Sequence, residues 1–146
     1  MSSSKDKSIF CWDLRKERRI SSHEHRMGGV NGFVVCKDQT TIISIGSNKQ
    51  VTFWDMRQPE STQIIEYTKS KAYEPICIAL SHDDQFFAVG GTDQQVHLYE
   101  TSTGALLSIG KGHSGVINSI KFSPDDKQIV SVATDGCIIV YNVFID

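Results

Sequence analysis

The chain has 146 residues, 39% of them hydrophobic and 22% charged, a composition that folds rather than staying disordered. Fifteen Lys and Arg against seventeen Asp and Glu leave a net charge of -2, which excludes a domain held mainly to nucleic-acid phosphate or anionic lipid. No apolar run approaches the roughly 20 residues that cross a bilayer, and the polar N-terminus lacks a signal-peptide core, so the expectation is a soluble, cytoplasmic protein without membrane contact.

Taken from the N-terminus, SSSKDKSIFCWDLR (Ser2 to Arg15) reads as a β-hairpin with its turn at Lys5-Asp6-Lys7. The basic run Arg15-Lys16-Glu17-Arg18-Arg19 follows, a solvated loop that an acidic surface such as a tubulin face, or a phosphate, could meet. RRISSH is then an outer strand. His23-Glu24-His25 has metal-like ligand types but no visible third ligand, so it reads as a solvated loop with no metal. VNGFVVC, TIISIG and QVTFWDM continue as short strands rich in Val, Ile and Phe.

The connection IEYTKSKAYEP (Ile65 to Pro75) gathers Tyr67, Lys69, Lys71 and Tyr73, and Arg26 holds the place of Lys71 one unit earlier. Tyr and basic side chains anchor interfaces, which makes these five the candidates for partner contact. CIALS and FFAVGG are strands, Gly90-Gly91 marking tight packing at a hairpin, and VHLYE carries His97 beside Tyr99 as a structural or surface position. Asp83-Asp84 and Asp125-Asp126 resemble acid-base carboxylate pairs, but both recur at one hairpin turn, which is the mark of turn chemistry. Cys11, Cys36, Cys77 and Cys137 are far apart, form no C-x-x-C pair and sit in apolar runs; they read as buried thiols of a reducing compartment.

A period organises these elements. KDKSIFCWDL, SNKQVTFWDM, TDQQVHLYET and TDGCIIVYNV align without gaps, placing Trp12, Trp54, Tyr99 and Tyr141 in register at intervals of 42, 45 and 42 residues. Asp6, Asn48, Asp93 and Asp135 each precede their aromatic by six residues, so a turn and the strand after it recur as one unit. Each unit supplies four strands in about 42 residues, a small antiparallel sheet that must stack on its neighbours, as a propeller blade does. No segment of helical length shows a 3.6-residue period.

The pattern resembles the WD-repeat β-propeller family: Trp12-Asp13 and Trp54-Asp55 match its dipeptide, and Tyr99-Glu100 and Tyr141-Asn142 are degenerate versions. The resemblance implies an all-β fold, an incomplete propeller of about three and a half blades, since four to eight close a ring. Its parts are the end of a first repeat at 1–15 and repeats at 16–57, 58–102 and 103–146, the missing blades coming from the rest of a parent chain or another polypeptide. It also implies a buried hydrogen-bonded set, carried here by His113, Ser131 and Asp135 with Tyr141 in the Trp place. The full set is expected only in the last repeat, because Arg26 and Lys71 stand where His would be, Val89 replaces the Ser and Asn48 the Asp.

No motif supplies a nucleophile, a phosphate-cradling loop or a cofactor site, so a non-enzymatic interaction scaffold without cofactor is expected. HRMGGVNG and the last repeat are similar to repeats of cilia- and flagella-associated WD-repeat proteins, which implies a cytoskeletal, ciliary or flagellar setting with axonemal or tubulin partners. The alternative is a peptide-binding adaptor, such as a ubiquitin-ligase substrate receptor or a signalling scaffold.

Overall fold

The computed structural model describes residues 1–24, 28–58, 60–66 and 73–144. All its regular elements are strands: β1 (Ser2–Ser3), β2 (Ser8–Asp13), β3 (Arg18–Glu24), β4 (Val30–Val35), β5 (Thr41–Gly46), β6 (Gln50–Asp55), β7 (Ser61–Glu66), β8 (Pro75–Leu80), β9 (Phe86–Gly91), β10 (Val96–Glu100), β11 (Leu106–Gly110), β12 (Ile117–Phe122), β13 (Gln128–Ala133) and β14 (Ile138–Asn142). They form antiparallel sheets in the orders β1-β2-β3, β4-β5-β6-β7, β8-β9-β10-β11 and β12-β13-β14. The fold class is therefore all-β, built of blade-type meanders.

Two compact units divide the chain, residues 1–68 with the first two sheets and residues 69–146 with the last two. In the first unit Ile9, Val30, Ile42 and Trp54 pack into a buried cluster. In the second, Ala79, Ala88, Val96 and Leu98 from one sheet meet Ile117, Ile120, Phe122 and Ile129 from the next. Gly90 makes that contact possible, because a Cβ there would stand 2.7 Å from Ile117 Cγ2 and Ile120 Cδ1.

The period of the sequence is a period of turns. The turn after β1, β5, β9 and β13 places Asp6, Asn48, Asp93 or Asp135 ahead of a residue with positive φ: Lys7 (74°), Lys49 (67°), Gln94 (67°) and Gly136 (76°). Three of those Asp side chains accept the backbone N–H two residues on, from Ser8 (3.1 Å), Gln95 (3.2 Å) and Cys137 (2.9 Å). A second turn recurs at Cys36–Thr41, Ser81–Phe86 and Ser123–Gln128, with Gln39, Asp84 and Asp126 all left-handed. There Asp83 and Asp125 accept from Ser81 and Ser123 Oγ, each at 2.6 Å, as the sequence reading of turn chemistry requires.

The Asp of Trp-Asp caps the turn into the outer strand. Asp13 Oδ1 accepts from Arg15 N (3.0 Å) and Lys16 N (3.2 Å), and Asp55 accepts from Arg57 N (2.9 Å) and pairs with its guanidinium. A bulge at the aromatic, between Cys11 and Trp12, Phe53 and Trp54, or Leu98 and Tyr99, follows in each outer pair.

Two expectations change. His23 is not in a solvated loop: it lies in β3, buried, its ring 6.0 Å from that of Trp54, because its place in the strand points it into the first unit's core. Cys11 and Cys36 are buried free thiols, but Cys137 is exposed, standing in the tight turn beside Gly136 rather than in the strand behind it.

Candidate functional site

The polar chemistry of the chain concentrates where each blade's Asp or Asn turn meets its aromatic strand. In the last sheet Gly112 has φ 147°, and a Cβ there would stand 2.9 Å from Ile139 Cδ1, so glycine lets the chain bend in and deliver His113. His113 Nδ1 lies 2.9 Å from Asp135 Oδ2, and His113 Nε2 lies 2.7 Å from Ser131 Oγ. Asp135 also accepts from Ser114 N (2.9 Å) and Cys137 N (2.9 Å), which ties the loop before β12 to the β13–β14 turn.

The Cys137 and Ser114 N–H groups, with His113 behind them, hold the Asp135 carboxyl down at about 2. The Asp135 carboxylate is an acceptor for His113 Nδ1, and the Ser131 hydroxyl meets Nε2, so one imidazole ring ties the turn to the strand. Tyr141 stands beside this set. Burial pushes its phenol up, an effect that Ser131 opposes, and its hydroxyl has no standard hydrogen bond among the described residues.

Ser131, His113 and Asp135 thus share the connectivity of a hydrolytic triad, and burial decides what it can do. The His113 side chain is 0% exposed and Ser131 is fully buried, so no substrate carbonyl can reach the serine oxygen. The arrangement is a clamp. Among the described residues, no group of three or more His, Cys, Asp or Glu side chains is placed to hold a metal ion.

Other blades solve the same problem differently. In the third sheet Val89 fills the serine place, and Asp93 Oδ2 meets His97 Nε2 at 2.6 Å, so the turn closes on its own strand. The His97 ring packs 5.4 Å from Tyr73, and Phe87 stacks on Tyr99 at 5.1 Å. Tyr73 is 1% exposed, which corrects its reading as a surface anchor: it is an interior side chain held against His97. Arg26, Tyr67, Lys69 and Lys71 lie outside the described residues, as does His25.

In the second sheet Trp54 Nε1 donates to Ser44 Oγ at 2.8 Å, and in the first Trp12 Nε1 donates to Ser2 Oγ at 2.9 Å. The sequence reading missed both pairs. The signal was present, since Ser2, Ser44 and Ser131 each stand ten residues before Trp12, Trp54 and Tyr141.

The two later repeats also match a known family. The profile described as "WD domain, G-beta repeat" matches residues 64–100 and 104–142. The chain belongs to the WD-repeat family. Among curated WD-repeat relatives, Serine-threonine kinase receptor-associated protein of Dictyostelium discoideum is 32% identical over 89% of this chain and 42% of its own length. Cilia- and flagella-associated protein 52 of Chlamydomonas reinhardtii is 30% identical over 97% of this chain but 23% of its own length. Guanine nucleotide-binding protein subunit beta-like protein of Encephalitozoon cuniculi is 27% identical, over 97% and 45%. The chain thus spans less than half the length of each. Among the described residues of the WD-repeat chain, no helix is long and apolar enough to cross a membrane.

Proposed function

We propose that this chain is part of a non-enzymatic interaction platform, a set of rigid blades whose turns and outer strands hold other proteins in fixed relation. One observation carries the reading: the His113 ring and the Ser131 hydroxyl, which with Asp135 could make a hydrolytic triad, are buried and bonded as a clamp. Turn tips and outer strands are left as the surface the chain presents.

Within that reading we place the platform in the ciliary or flagellar axoneme. Its support is the similarity to Cilia- and flagella-associated protein 52, which extends over 97% of this chain. A tagged copy expressed in a flagellated cell should fractionate with demembranated axonemes and co-sediment with microtubules. A solely nuclear or ribosomal location removes the axonemal reading. The adaptor alternative is favoured by the similarity to Serine-threonine kinase receptor-associated protein. An adaptor would release a single short peptide on mutation of one ring of loop residues, whereas a scaffold stays bound to its assembly.

A further inference from the structure

The turn between β2 and β3, with the start of β3, displays Leu14, Arg15, Lys16, Glu17, Arg18, Arg19 and Ile20, all exposed. It carries four cations against one carboxylate, Glu17, and the Asp13 carboxylate just before it is turned onto Arg15 N and Lys16 N. Among the described residues none of the four cations forms an ion pair. Arg19 is also held in place, its guanidinium 4.9 Å from the Phe10 ring centroid, so less of its freedom is lost when an acid docks.

Two aliphatic side chains frame the cations. Leu14 is 88% and Ile20 66% exposed, and Ile20 is the bulge residue between the paired positions Arg19 and Ser21, which turns it outward. β3 is the end strand of its sheet, so its outer edge is open to an extended segment.

We propose that this basic, aliphatic-flanked edge docks an acidic, extended polypeptide segment in which Glu or Asp alternates with an aliphatic residue. Charge complementarity selects the occupant. A polyphosphate would meet the cations and leave Leu14 and Ile20 wet, and the net charge of -2 opposes a polyanion binder. A flat bilayer reaching Ile20 would have to bury Arg18 and Arg19 first, since Ile20 lies in the strand beyond them. The proposal names a partner chemistry for the platform described above and rests on that reading.

The test is fluorescence anisotropy of the full chain with a labelled peptide of Glu residues interrupted by Leu, alongside its Gln-for-Glu counterpart. The acidic peptide should bind saturably and weaken with salt. The double variant R18E/R19E should lose roughly tenfold or more in affinity, and K121E/K127E, which changes exposed lysines in the last two sheets' unit, should stay within about twofold.

If R18E/R19E melts early, R18Q/R19Q replaces it and must still weaken binding about threefold. Absent binding, equal binding of the Gln peptide, equal loss in K121E/K127E, or an Arg18- and Arg19-dependent preference for phosphatidylserine vesicles or RNA would overturn the proposal. A chain that stays with axonemes yet ignores the peptide sinks only the docking edge; one that binds the peptide but joins no assembly sinks the platform.

Discussion

At the scale of single residues, the WD-repeat chain turns on groups whose charge or hydrogen bonds cannot be given up where they stand. His113→Ala would empty a buried site and orphan the Ser131 hydroxyl, a cost of roughly 2–3 kcal/mol. Ser131→Ala orphans His113 Nε2 but opens almost no cavity and should cost about 1–2 kcal/mol. Thermal melting should rank the two in that order, and equal losses would mean that His113 acts only by filling space. His23 has a different liability. Burial lowers its pKa below the ordinary 6.5, an effect that Asp55 opposes, and its Nδ1 has no partner among the described residues. A lowered histidine pKa means that the unfolded chain binds the extra proton more readily. Stability is then complete above 6.5 and declines as pH falls toward the depressed folded value. His23→Phe keeps the packing on Trp54 and should flatten the stability profile below 6.5; an unchanged slope in urea titrations would place the sensitivity elsewhere. A second acid step belongs to Asp135, whose contribution is present above its ordinary 3.8 and disappears as pH falls through about 2.

At the scale of elements, the turns carry the period, and three of the four tight turns are strained by their own sequence. Lys7, Lys49 and Gln94 occupy the left-handed region that Gly136 occupies without a Cβ. Left-handed backbone costs a side-chain-bearing residue about 1–2 kcal/mol, and glycine's extra unfolded entropy takes back about half of that. Lys49→Gly should therefore stabilise the chain by about 0.5–1 kcal/mol, seen as a higher denaturation midpoint at unchanged m-value. A loss of stability would show that the lysine side chain contributes more than its backbone strain. These elements were legible in the sequence because each is short, bounded by Asp, Asn, Ser or Gly, and repeated; Asp6, Asp93 and Asp135 announce the same Asx-type turn, and Asn48 holds the same place ahead of left-handed Lys49 without that bond. The aromatics were legible for the same reason. Less legible was where each side chain points. His23 looked like part of a polar loop because His, Glu and His are consecutive, yet strand alternation turns it inward onto Trp54. Tyr73 looked like an interface anchor by composition, and only the packing of His97 shows that its ring is spent inside.

At the scale of the whole molecule, the question is how one blade holds the next, and the turns of the second unit answer it for one pair. The set His113, Ser131 and Asp135 came from the resemblance of the last repeat to the family pattern, whereas a bond that joins repeats belongs to no repeat pattern that could be carried over. Asp126 is such a case. From the β12–β13 turn its carboxylate accepts from His82 N (2.8 Å) and Asp83 N (3.0 Å) in the β8–β9 turn, 44 and 43 residues away, and its Oδ1 lies 3.0 Å from His82 Nδ1. Burial pushes the carboxyl up, but the His82 and Asp83 bonds together outweigh it, and the group titrates below its ordinary range. Asp126 also has φ 58°, so a test must separate the carboxylate from the backbone it stands on. Asp126→Gly keeps the left-handed turn and removes the bridge; Asp126→Asn keeps the turn and one acceptor oxygen. If the bridge joins the blades, both variants should raise amide exchange at His82 and Asp83, glycine more than asparagine, while the β13–β14 turn stays protected. The global cost should be small, about 1 kcal/mol, because the bridge is partly open to solvent. Unchanged exchange at His82 and Asp83 would show that packing of Ile117, Ile120 and Ile129 against Ala88 and Leu98 holds the two sheets by itself.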